Sequence, residues 1–101
     1  MQSELSIPVI WTEDGTPALA GRLDVLRDHL HFEGGVRERR RSVDLPFREI
    51  ATARMGRATD ERVNGRPAIV LALAGGGSVA FAGFGRPGAL VEILHQIEER
   101  L

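Results

Sequence analysis

The 101-residue chain has no cysteine, which removes disulfides, thiolate metal ligands and a cysteine nucleophile from consideration. Tyrosine is absent as well, and aromatic side chains amount to one tryptophan and four phenylalanines. Lysine is missing, so all 13 basic side chains are arginines. With alanine and glycine abundant, that bias reads as GC-rich coding more simply than as selection for guanidinium chemistry. The net charge of −1 provides no global field to gather nucleic acid or an acidic membrane. No stretch approaches the roughly 18 apolar residues of a membrane span. Residues Met1 to Glu4 carry no basic segment followed by an apolar one, so a secretory signal is not expected and a cytoplasmic protein is. The length fits one domain, residues 1–101, able to bury a single core without staples.

The apolar spacing is richer. From Ile7 to Phe84 apolar residues alternate in short runs broken by turn signals, the period-two pattern of half-buried strands. Leu5–Trp11 reads as the first strand. Pro8 marks it as a sheet edge, or as the point where pairing begins, because proline cannot donate to a ladder. After the turn Glu13-Asp14-Gly15-Thr16-Pro17, Ala18 to Leu26 places Leu23 and Val25 on one face and Arg22 and Asp24 on the other. His29 to Glu33 turns Leu30 and Phe32 inward and His29 and His31 outward. A charged loop follows from Gly34 to Arg41. Val43, Leu45 and Phe47 then alternate, with Pro46 expected to bend or end that strand.

Ile50 to Met55 is a further short run, and residues 56–66 form a polar connection with Asn64-Gly65 as a turn signal. Ala68 to Ala74 aligns Ile69, Leu71 and Leu73. Gly75-Gly76-Gly77 leads into Ser78 to Gly83, where Val79 and Phe81 share a face. From Pro87 the period changes. Leu90, Ile93, Leu94, Ile97 and Leu101 form the stripe of an amphipathic helix, begun by proline where its missing N–H costs nothing. About four turns of helix are marginal alone, so the stripe is expected to pack on the sheet.

The fold class expected is therefore mainly β with one C-terminal α-helix: a bent antiparallel sheet, or partly open barrel, of about seven strands capped by the helix. This layout resembles the pleckstrin-homology superfold, in which a terminal helix plugs one open end of a strongly bent sheet. The segment Gly21-Arg22-Leu23-Asp24-Val25 with Asp28-His29-Leu30-His31-Phe32 is similar to the G-x-L-x-V…D-x-L-x-F pattern of GRAM and bacterial pleckstrin-homology-like domains. Val43-Asp44-Leu45-Pro46-Phe47-Arg48-Glu49-Ile50 is similar to the stretch that follows it there. The likeness runs from about Ala18 to Leu101. Phosphoinositide-binding members of that group carry basic residues on the first hairpin loop, whereas here Glu13-Asp14-Gly15-Thr16 is acidic.

Several motifs point to chemistry and carry it poorly. Gly83-Phe84-Gly85-Arg86-Pro87-Gly88 matches the dinucleotide fingerprint G-x-G-x-x-G between a strand and a helix. Too little chain follows for a second strand or a ribose-binding acid, and Pro87 deletes an amide donor; a corner is the simpler reading. Arg37-Glu38-Arg39-Arg40-Arg41 is the one dense basic cluster, a candidate anion or lipid contact through Arg37, Arg39, Arg40 and Arg41. Glu33, Glu38 and Asp44 flank it closely enough to pair with the arginines. His29 and His31 share a strand face as a metal pair would, with His95 or a carboxylate needed as third ligand. Asp60-Glu61 are adjacent carboxylates with nothing nearby to tune them, and Ser78 lacks a nucleophile elbow. Trp11 is expected in the core.

No catalytic residue, cofactor or bound metal is expected from this inventory. The expected role is a non-catalytic binding or scaffolding module for protein–protein association or self-association, by an edge strand or by a groove between that strand and the helix. Two alternatives stand beside it: peripheral attachment to anionic membrane through the Arg37–Arg41 loop, and a small metal-dependent enzyme using His29 and His31. Nucleic acid is not among the expected partners.

Overall fold

The period-two runs become seven antiparallel strands in a single sheet that curls into a half-barrel. The computed structural model describes residues 5–14, 16–56, 58–84 and 87–101. Its strands are β1 (Leu5–Glu13), β2 (Leu19–Val25), β3 (His29–Gly34), β4 (Arg41–Pro46), β5 (Ile50–Gly56), β6 (Ala68–Leu73) and β7 (Ser78–Gly83), followed by helix α1 (Pro87–Glu98). Short 3-10 turns cover Arg37–Arg39, Phe47–Glu49 and Thr59–Glu61. The strand order is β4-β3-β2-β1-β7-β6-β5. The expected Gly15 turn residue, Arg57, the Gly85–Arg86 pair of the glycine-rich corner and residues 1–4 lie outside the described residues.

One face of every strand feeds a common core. Val9 and Trp11 meet Leu23, Val25, Leu30, Phe32, Leu45, Ile69, Leu71, Val79 and Phe81, all buried. Helix α1 closes this interior, lying over β2, β5, β6 and β7 and inserting Leu90, Ile93 and Ile97. Burying an aliphatic side chain of this kind contributes about 1.5–3 kcal/mol, which is why so short a helix persists here.

The centre of the core is a stack of three rings. Trp11 lies parallel to Phe32, with centroids 4.8 Å apart and planes 8° apart. On its other side is Phe81, at 5.9 Å and 14°. Phe32 stands on β3 and Trp11 on β1, so the contact must cross β2. It can because Gly21 of β2 pairs with Gly34 of β3. A Cβ on Gly21 would sit 2.5 Å from the Gly34 Cα and 2.8 Å from the Phe32 ring. One on Gly34 would lie 2.7 Å from that same ring. The glycine pair is a slot, and the phenylalanine ring fills it.

Several expectations are corrected. β1 is an interior strand, flanked by β2 and β7; the edges are β4 and β5. Pro8 fits because pairing with β7 starts only at Val9, so its missing donor costs no bond on that side. β1 runs on through Glu13 and β4 begins at Arg41, both residues having been expected in loops. Phe47 is buried, but in the 3-10 turn after β4 and not within the strand. Leu101 lies beyond the helix and is 49% exposed, so the buried stripe ends at Ile97. The connection at residues 56–66 is not wholly polar. Val63, bridged to Arg66 across Asn64-Gly65, is buried with Ile10, Ala68 and Ala82. That small second cluster lies on the opposite face from the main core, because Ile10 and Ala82 alternate with Trp11 and Phe81.

Gly21→Ala and Gly34→Ala each force the Phe32 ring off Trp11. Each is expected to destabilise the protein by about 1–3 kcal/mol, read as a lower urea midpoint with a weakened near-ultraviolet circular dichroism signal from the ring stack. Melting unchanged from the wild type would contradict the slot.

Candidate functional site

Two surface features gather the residues singled out in the sequence: the loop end formed by β1–β2, β3–β4 and β6–β7, and the outer face of β3 beside β4.

At the loop end, Arg41 is already engaged. Its guanidinium grips the Glu13 carboxylate through two bonds of 2.9 Å, from Nε to Oε2 and from Nη2 to Oε1. Glu13 also accepts a 3.3 Å bond from the Trp11 indole N–H, so the core ring stack is tied to the root of the basic loop. The Arg41 fork holds the Glu13 carboxyl below its ordinary range, against an opposing push from partial burial. The paired carboxylate in turn raises Arg41. Asp14 is spent in a similar way, accepting 2.8 Å bonds from the Ser78 amide and hydroxyl. Glu13 thus ties β1 to β4 across the two strands between them, and Asp14 fastens the end of β1 to its neighbour β7.

The remaining arginines are different. Arg37, Arg39 and Arg40 are exposed, and no hydrogen bond or ion pair joins their side chains to another described residue. Two of the three acids expected to neutralise them are occupied elsewhere. Glu33 lies 3.3 Å from His31 Nε2 and Asp44 lies 2.6 Å from His31 Nδ1. Beside the loop, Glu33, Arg40, Arg41 and Ser42 line a shallow depression of about 310 Å³.

The outer face of β3 carries the histidines in a carboxylate frame. Register sets Asp24, His31 and Asp44 side by side across β2, β3 and β4. His29 Nδ1 lies 2.6 Å from Asp28 and its Nε2 lies 3.6 Å from Asp44. Asp24, although it points outward, is 8% exposed and is held by Arg22 at 3.2 Å. Hydrogen bonding to Asp44 raises His31 above its ordinary value against the desolvation cost of partial burial, with a lesser contribution from Glu33. Bonding to His29 lowers Asp28. His95 is exposed on α1 and does not join this cluster. Among the described residues, no group of three His, Asp or Glu side chains is arranged to hold a metal ion.

The other motifs stay apart. Glu61 pairs with Arg54, while the Asp60 side chain lies outside the described set. Gly83 ends β7 and Pro87 begins α1, so the described part of the glycine-rich stretch is a strand-to-helix corner. Arg66 stacks over Phe84 with its guanidinium carbon 5.8 Å from the ring centroid. Among the described residues no helix is long and apolar enough to cross a membrane. What sequence reasoning missed was the pairing of Glu13 with Arg41. The two residues are 28 positions apart and only the folded register brings them together.

Because the folded pKa of His31 is raised, its pairing stabilises the protein fully below the unfolded value near 6.5 and is lost as pH rises through the folded value. The expected loss between about pH 5.5 and about pH 8.5 is about 0.5 kcal/mol, the range of exposed pairs. Asp44→Asn should remove most of that pH dependence from urea melts, leaving the part due to Glu33, and lower the His31 midpoint in an NMR titration. An unmoved His31 midpoint would refute the pairing.

No protein-family model matches this chain, and no curated protein matches it. Solved structures do. The C-terminal domain of an unknown protein from Leishmania infantum superposes with a TM-score of 0.71 and 15% identity, over 96% of this chain and 84% of that one. At that identity the likeness is one of fold.

Proposed function

We propose that this chain is a non-catalytic, pleckstrin-homology-like binding module of the cytoplasm, acting by protein–protein association or self-association along the β5 edge. The observation that carries the reading is the contrast between the two unpaired edges. β4 is short and guarded, with exposed Arg41, Ser42 and Asp44 and a terminal Pro46, the features that discourage a further strand. β5 is seven residues long and has a single charged side chain, Arg54, occupied by Glu61. Its irregularity is confined to a register shift between Ile50 and Thr52, which leaves the backbone from Thr52 onward regular.

Helix α1 touches β5. Ala53 and Met55 on the strand and Leu94 on the helix are each only partly buried against the core. An extended segment added to β5 would gain main-chain hydrogen bonds from the edge and apolar contact from these side chains. A metal-dependent enzyme built on His29 and His31 gains no support, since both imidazoles are committed to carboxylates.

Sedimentation equilibrium and selection from a displayed random-peptide library test the proposal. Selected peptides, or a second copy, should shift backbone amides of residues 50–56 in NMR spectra. Thr52→Glu, by charging the edge, should weaken the association at least about tenfold, or ~1.4 kcal/mol. A chain that stays monomeric and selects nothing, or shifts confined to β4, would overturn the reading.

A further inference from the structure

We propose that the Glu33 side chain is a proton-operated toggle: it rests on His31 while that imidazole is protonated and moves to Arg40 when the proton leaves, cancelling one charge of the basic loop. This goes beyond the edge-strand reading and does not depend on it. The charged groups around His31 come from every neighbouring element. Asp24, held by Arg22, faces it from β2, and Asp44 faces it from β4. His29 and Glu33 flank it on β3 itself, with Asp28 bonded to His29. Arg40 stands at the entry to β4.

His31 has a carboxylate at each ring nitrogen. Its Nδ1 lies 2.6 Å from Asp44 Oδ1 and its Nε2 lies 3.3 Å from Glu33 Oε1. A neutral imidazole carries one N–H and can donate to only one of them; both bonds together require the imidazolium. The arrangement is therefore that of the protonated ring. When the proton leaves, the shorter bond to Asp44 keeps the remaining hydrogen on Nδ1. The Nε2 lone pair then faces a carboxylate oxygen, and that contact turns from attraction to repulsion. No neighbour relieves it, because Arg22 is committed to Asp24, and His29 to Asp28 and Asp44.

Arg40 is the second resting place. Glu33 stands opposite Ser42 in the β3–β4 ladder. The backbone at Arg40 is extended, with φ of −76° and ψ of 141°. It carries the strand alternation one residue ahead of β4 and puts Arg40 on the same outer face as Ser42. Diagonal neighbours of this kind lie about 7–8 Å apart, within reach of long side chains. Glu33 and Arg40 already line one depression, and the Glu33 side chain is 58% exposed, so it can swing without disturbing the core. Arg41 is no destination, since Glu13 fills its fork. A local electrostatic change at His31 thus sets the charge at the root of the basic loop. Asp44, and to a lesser degree Glu33, raise His31 above its ordinary value, so the change falls between about pH 6 and about pH 8.5.

NMR titration of the His31 ring tests the toggle through a cycle of Glu33→Gln, Arg40→Gln and the double variant. Arg40 draws Glu33 away only from the neutral imidazole. Deleting Arg40 is therefore expected to raise the proton affinity of His31 about twofold when Glu33 is present. In the Glu33→Gln background the same deletion should have no effect. Arg37→Gln, at a residue that does not line the depression, should leave His31 unmoved. Nitrogen-15 relaxation at Arg40 Nε should report a mobile side chain at about pH 6 and an ordered one at about pH 8.5, a change absent from Glu33→Gln. The proposal fails if Arg40→Gln does not raise the His31 midpoint, or if it raises it equally in both backgrounds, the mark of a direct field from the cation. It fails too if Arg37→Gln acts as strongly as Arg40→Gln, or if Arg40 is equally mobile at both pH values.

Discussion

The parallel stack of Phe32, Trp11 and Phe81 is the contact on which the rest of the fold depends. Trp11 and Phe81 face each other on the paired strands β1 and β7, while the contact with Phe32 reaches across β2 to β3 and accompanies the curl that makes a core out of a sheet. The stack exists because two glycines face each other on β2 and β3; any side chain there would occupy the volume of the Phe32 ring. Aromatic pairs in such offset arrangements contribute about 0.5–1.5 kcal/mol beyond their burial. Here their larger effect is geometric, since they set how tightly the strands wrap and how wide an opening α1 must cover.

The tryptophan also joins the interior to the surface. Its indole N–H meets Glu13, and Glu13 holds Arg41. A buried ring, a half-buried carboxylate and an exposed guanidinium thus form a single series. The arginines beyond Arg41 have no such tie, which separates one structural cation from three available ones. On the outer face of β3 the carboxylates and imidazoles satisfy one another, and charge there serves pairing between strands. The same side-chain chemistry therefore has two uses, set by what lies opposite each group in the register.

Much of this architecture was legible in the chain. Short apolar runs between turn signals, most of them alternating, placed the seven strands, and the change of period at Pro87 placed the helix, because both signals arise within a single element. What failed depended on partners far away in sequence. Pro8 left two readings open, an edge or the start of pairing, and only the distant β7, whose pairing begins at Val9, decides for the second. Val63 looked like part of a polar loop, since nothing local reveals that Ile10, Ala68 and Ala82 form a nest for it. Leu101 kept the helical period but ran past the last residue that has sheet beneath it. The basic loop was visible as composition. Which of its arginines are free emerged only from the register that gives Arg41 to Glu13.

The pairing of β1 with β7, Val9 opposite Gly83, also bears on how the domain is made. Strands β1 to β4 form by neighbouring hairpins and can assemble early. Their inner face stays open until β7 returns and Ile93 and Ile97 arrive. On the ribosome, where synthesis proceeds from the amino terminus, β1 to β4 are made before the elements that cover their apolar face. Long-range closure of this kind slows folding and exposes the intermediate to aggregation, so a chaperone acting on the nascent chain would find its substrate in β1 to β4.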